Sequence, residues 1–80
     1  MSDIGSRIKL AREAANLSQE ALARAAGISL STVSKYEQRQ HGPSGTTAAA
    51  LARVLGVSTD WLLTGAGRGP HSPIVAPAES

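Results

Sequence analysis

Ile4, Ile8, Ala11 and Ala15 recur at helical spacing, with acidic Asp3 near the start, and predict a first helix over about residues 3–15. Asn16 accepts the left-handed conformation that stops a helix, after which Leu17 turns inward. Ser18 caps a second helix, with Glu20 in its first turn and an end near Ala26, and Gly27 punctuates. Ser29 caps a third helix reaching about Glu37, with Val33 and Tyr36 on its inward face. Residues 38–43 are polar and close on Gly42-Pro43, which reads as a loop. Ser44 caps a fourth helix to Leu55 with Ala48, Leu51, Ala52 and Leu55 on one face, and Gly56 stops it. Ser58 caps a short last helix, Thr59–Thr64, ended by Gly65. Each start from the second helix on falls at a serine, so punctuation and periodicity agree.

From Gly65 onward the pattern lapses. GAGRGPHSPIVAPAES holds only Ile74 and Val75 as bulky apolar residues, too few to offset the entropy of ordering the segment. The expected organisation is one all-α domain over residues 1–65 and a flexible tail or linker over 66–80.

Composition narrows the class. Eighty residues leave no room for two separate cores. With no cysteine, neither disulfides nor thiolate metal sites can hold the fold, so packing must. The apolar set is Ala, Leu, Ile and Val with one Trp, one Tyr and no Phe, small pieces that suit close helix–helix contact. No apolar run is long enough to span a bilayer and the N-terminus shows no signal-peptide pattern, so a cytoplasmic protein is expected. The net charge of +2 favours nucleic acid only weakly, and where the charges fall matters more.

One spacing carries functional information. Counting Gln19 as the first position, Ala23 is the fifth, Gly27 the ninth and Val33 the fifteenth. Two helices crossing steeply need a small side chain where they meet, which Ala23 supplies. The short turn between them suits Gly27, which accepts positive φ, and Val33 seals the third helix on the second. Alone, this spacing could belong to any two short helices joined by a glycine.

The wider sequence resembles the phage-repressor and Cro type of helix-turn-helix domain, the XRE family. IGSRIKLAREAANLSQEALARAAGISLSTVSKYEQ is similar to its first three helices, and GPSGTTAAALARVLGVSTDWLLTG to its last two. The ending LGVSTDWLLTG is especially like the lambdoid phage repressors. Motif, caps and downstream helices agree in order across residues 4–65.

The resemblance implies a compact five-helix domain whose third helix enters the major groove of double-stranded DNA. It implies base reading by Leu30, Ser31, Ser34 and Lys35. It implies phosphate contacts from Gln19, at a helix N-terminus suited to an anion, from Ser29 and Thr32 on the flank, and from Gln38, Arg39 and Gln40 in the following loop. Arg12 and Glu37 match a pair that the family often joins as a salt bridge, which would orient the recognition helix while adding little net stability.

Three departures from the family pattern carry expectations of their own. Arg39 stands where a glycine is usual, which predicts an altered loop path. Gly45 and Ala48 replace larger apolar residues, which predicts a thinner core or a groove beside the fourth helix. Leu30 cannot hydrogen-bond a base but can lie against a thymine methyl.

Competing chemistries find little support. Ser31, Ser34 and Lys35 would pass as a solvated face without the motif behind them, and Arg24 and Arg53 read as solvated surface. Tyr36 and Trp61 stand at inward helical positions, and two aromatics make no stacking platform. His41 and His71 have no partner at metal-ligand spacing, and the serines lack a base held by a third group, so neither metal, cofactor nor catalysis is expected. One helix reads only a few base pairs, so a homodimer on a near-palindromic operator is expected, with dimer contacts around residues 57–63. On this reading the chain is a repressor, or the N-terminal part of a longer one. The alternative is an antitoxin-like module that autoregulates through DNA and docks a protein partner through Ile74 and Val75 of the tail.

Overall fold

The computed structural model describes residues 3–67, 69 and 70 of the chain. Its element order is α1 (Ile4–Ala14), α2 (Gln19–Ala26), α3 (Leu30–Glu37), α4 (Gly45–Leu55) and α5 (Thr59–Thr64), with no strand among the described residues. All five expected helices are present. No helix among the described residues is long and apolar enough to cross a membrane. His71, Ile74 and Val75, with most of the expected tail, lie outside the described residues.

Each helix begins at a side-chain cap. Ser18, Ser29, Ser44 and Ser58 accept the backbone N–H three residues on, at Ala21, Thr32, Thr47 and Trp61. Asp3 does the same for Ser6 at 2.9 Å, so it precedes α1 as its cap. That N–H bond, drawn to the charged form, holds the Asp3 carboxyl below its ordinary pKa, with exposed Arg39 adding to the effect. The helices also end alike: each is followed, within two residues, by a left-handed residue. Glycine fills the position at Gly27, Gly56 and Gly65, but Asn16 and Arg39 fill it after α1 and α3, at φ of 60° and 63°.

The core joins all five helices and the turn at Val57. Ile8, Leu22, Leu51, Leu62 and Val33 are its largest fully buried side chains. α1 packs on α3, α4 and α5, while α2 packs on α3 and α4. Ala23 is buried where small size was expected, and Ala48 is fully buried in the wall of α4. No enclosed pocket opens among the described residues, but Gly45 is exposed and a Cβ added there would meet nothing within 4 Å, so the start of α4 is left open. Tyr36 is buried, whereas Trp61 is half-buried and packs against the edge of the core.

Two features of α1 depart from the expected pattern. Ala15 is exposed, because the helix ends before reaching it, and the inward stripe includes Arg7, only 7% exposed. Arg7 Nε donates to Leu62 O and Nη2 to Leu63 O, both at 2.8 Å, which ties α1 to the last turn of α5. Gly5 is buried against the end of α3, where a Cβ would run into Tyr36 O. Only glycine lets the first turn of α1 approach the last turn of α3 so closely.

Beyond Gly65, two further glycines lie close to α5. A Cβ on Gly67 would sit 3.0 Å from Ser58 Oγ, and one on Gly69 would sit 2.6 Å from Trp61 Nε1.

Candidate nucleic-acid interface

The buried residues of α3 define its free face by difference. Val33 and Tyr36 point into the core, which turns Leu30, Ser31, Ser34 and Lys35 the other way. Ser31, Ser34, Lys35 and Gln38 fall at i, i+3, i+4 and i+7, a single stripe along a helix. Leu30, Ser31 and Lys35 are exposed and Ser34 is half-buried. Leu30, at 48% exposure, is the most exposed large apolar side chain among the described residues. Leu10 and Leu63 are exposed to a similar degree, at 45% and 42%, so it is the position of Leu30 beside the polar stripe that singles it out.

The polar groups at both ends of this face are already ordered. The Ser29 hydroxyl accepts from Thr32 N at 3.1 Å and lies 2.7 Å from Thr32 Oγ1, so both flank residues first serve the start of α3. At the other end Gln38 Nε2 donates to Ser34 Oγ at 3.0 Å, and Gln40 Nε2 donates to Gln38 Oε1 at 2.9 Å. Ser34, Gln38 and Gln40 thus form a chain of side-chain bonds from the middle of α3 into the loop.

Behind the face sits an ion pair. Arg12 Nε reaches Glu37 Oε2 at 2.7 Å and Nη2 reaches Oε1 at 3.1 Å, a two-bond contact with side chains only 12% and 4% exposed. Arg12 Nη1 also donates to Leu17 O at 2.8 Å, in the turn that ends α1. Hydrogen bonding to Glu37 pushes the Arg12 pKa above its ordinary value, against the opposing effect of burial. Gln19 Nε2 donates to the same Glu37 Oε1 at 3.0 Å. Glu37 therefore gathers α1, the start of α2 and the end of α3 at one point. The sequence reading paired Arg12 with Glu37 but missed that Gln19 joins them. The amide nitrogen carries two hydrogens, and this bond uses one of them.

Arg39 turns differently from expectation. Instead of displacing the loop, it takes the left-handed conformation that glycine would take, and Gln40 N closes on Lys35 O at 2.9 Å. Its guanidinium reaches Asp3 Oδ2 at 3.3 Å in an exposed pair. A left-handed non-glycine residue costs about 1–2 kcal/mol, offset in part by its stiffer unfolded chain. Arg39→Gly should accordingly change stability by no more than about 1 kcal/mol. Against DNA it should lower the salt slope of log K by about 0.9, the share of one cation. Titrations at several salt concentrations measure this, and an unchanged slope would remove Arg39 from the interface.

The remaining candidates lie elsewhere. Arg24 pairs with Glu20 at 3.3 Å on the exposed side of α2, and Arg53 is exposed on α4. His41 is exposed in the loop, its ring 5.7 Å from that of Tyr36 and tilted against it. Among the described residues no group of three His, Cys, Asp or Glu could hold a metal ion.

Known proteins resemble this chain in sequence and in fold. The family model described as helix-turn-helix matches residues 8–62. The HTH-type transcriptional regulator DicA of Escherichia coli is 36% identical over 75 residues, 92% of this chain, and the match covers 56% of DicA. The c2 repressor of Salmonella phage P22, solved in complex with a synthetic operator, superposes with a TM-score of 0.78 at 32% identity, over 82% of this chain and all of that one. SinR of Bacillus subtilis, solved in complex with DNA, superposes at 0.71 with 35% identity, over 74% of this chain and 95% of that one. The chain spans between 29% and 61% of the length of the curated relatives it matches. By its sequence match and its five-helix architecture, the chain belongs to the helix-turn-helix family.

Proposed function

We propose that this domain binds double-stranded DNA in a sequence-specific way, as the DNA-reading part of a transcriptional repressor. α3 lies in the major groove, with Leu30, Ser31, Ser34 and Lys35 on base edges. Gln19, Ser29, Thr32, Gln38, Arg39 and Gln40 hold the phosphates on either side. The observation that carries this reading is the exposed stripe of α3 backed by the Arg12–Glu37–Gln19 junction. A helix held from behind presents its side chains at fixed spacing, as reading a rigid ligand requires. Relatives that are regulators and repressors, two of them solved on DNA, support it.

Lys35 suits the two acceptors of guanine, O6 and N7, and Leu30 suits a thymine methyl. The phosphate contacts set position, and base contacts set sequence. The activity is binding, not catalysis, and it implies a protein of the cytoplasm. Two copies pair through residues 57–63 of each, where Leu63 is 42% exposed, so that two half-sites are read together. Selection of bound duplexes from a random-sequence library tests this directly. The expected product is an inverted repeat whose halves lie one helical turn, roughly 34–36 Å, apart. A bound pool with no shared sequence would contradict it.

A further inference from the structure

We propose that Arg7 is a positioning residue for the paired DNA complex, fixing α5 relative to α3 and so the distance between two recognition helices. This inference rests on the paired-copy reading above. α5 has only six residues, too few to be stable alone. The carbonyls of its last turn have no partner within the helix. Arg7 satisfies two of them, Leu62 O and Leu63 O, from two nitrogens of one planar guanidinium. A fork on two neighbouring carbonyls fixes an angle as well as a distance, and a cation suits the negative end of a helix. The left-handed Gly65 lies alongside, with Arg7 Nη1 3.5 Å from where its Cβ would stand.

Arg12 follows Arg7 by five positions on the same helix, about 140° round the axis and roughly 7.5 Å along it. Arg12 holds Glu37 at the end of α3. α1 is thus a bracket with two arginine tethers, one to the reading helix and one to α5. The exposed side chain of Leu63 stands on a residue whose carbonyl Arg7 holds. If α5 shifts, the contact between copies shifts with it, while each α3 keeps its own support through Glu37.

The test uses the full chain and two duplexes from the selection above, one with both half-sites and one with a single half-site. Arg7→Gln should change single-half-site affinity by less than about threefold and lower two-half-site affinity by at least about tenfold. Arg7→Lys keeps the charge without the fork and should fall between. Inserting one base pair between the half-sites should penalise the wild type more than either variant, because a loosened α5 no longer enforces one spacing. Equal losses on both duplexes, or an unchanged spacing penalty, would overturn the inference while leaving DNA reading intact. If Arg7→Gln does not fold, the same comparison on Arg7→Lys decides. A wild type that gains nothing from the second half-site would overturn the paired-copy reading and this inference together.

Discussion

Replacing Glu37 with alanine is expected to destabilise the domain by about 3 kcal/mol, the low end of the cost of breaking a buried ion pair. The pair is nearly covered, so removing the carboxylate leaves the Arg12 guanidinium without its main partner and Gln19 without its acceptor. The low end applies because Arg12 keeps its bond to Leu17 O at 2.8 Å. For a domain of this size the loss is a fall in Tm of roughly 12–24 °C by circular dichroism. The double replacement Arg12→Met with Glu37→Leu should recover much of that, since an apolar pair leaves no stranded charge. DNA affinity, measured well below the lowered Tm, separates support from charge. Removing an anion beside a polyanion favours binding, whereas loosening the end of α3 opposes it. Affinity should fall for Glu37→Ala, and tighter binding would mean that the junction does not position α3.

Much of this architecture is legible in the chain because its punctuation is local. A serine cap needs only the backbone N–H three residues on, and glycine marks three of the five helix ends. The face of α3 is equally local, since burial of Val33 and Tyr36 leaves Leu30, Ser31, Ser34 and Lys35 on the other side. What escaped notice depends on distant partners. Arg7 lies on the inward stripe of α1, but only its contact with α5, 55 and 56 residues away, shows why a cation can be buried there. Its position three residues after Ile4 and four before Ala11 was a usable signal. Gly5 gave none, because the close approach of Tyr36 O is a property of the packed helices. Arg39 misled for a related reason: the left-handed conformation is a preference of glycine, and closure of Gln40 N on Lys35 O imposes it on an arginine.

The central claim is that α3 reads bases while its surroundings hold phosphates, and Lys35 and Gln19 separate the two roles. Lys35 is exposed on the free face of α3; Gln19 sits at the start of α2 with one amide hydrogen on Glu37. Lys35→Ala should cost about 1–3 kcal/mol on the preferred site and relax the preference at one base position. It also removes a cation, so some non-specific affinity goes with it. Gln19→Ala should weaken all duplexes by similar factors and leave the salt slope unchanged, since no counterion-releasing charge is lost. The decisive measurement is the affinity of Lys35→Ala for the selected operator, for each single-base-pair variant of it, and for unrelated DNA. The account predicts a loss concentrated on the operator, with discrimination gone at one position. A uniform loss that leaves every base preference intact would contradict it, because α3 would then not be the reading helix.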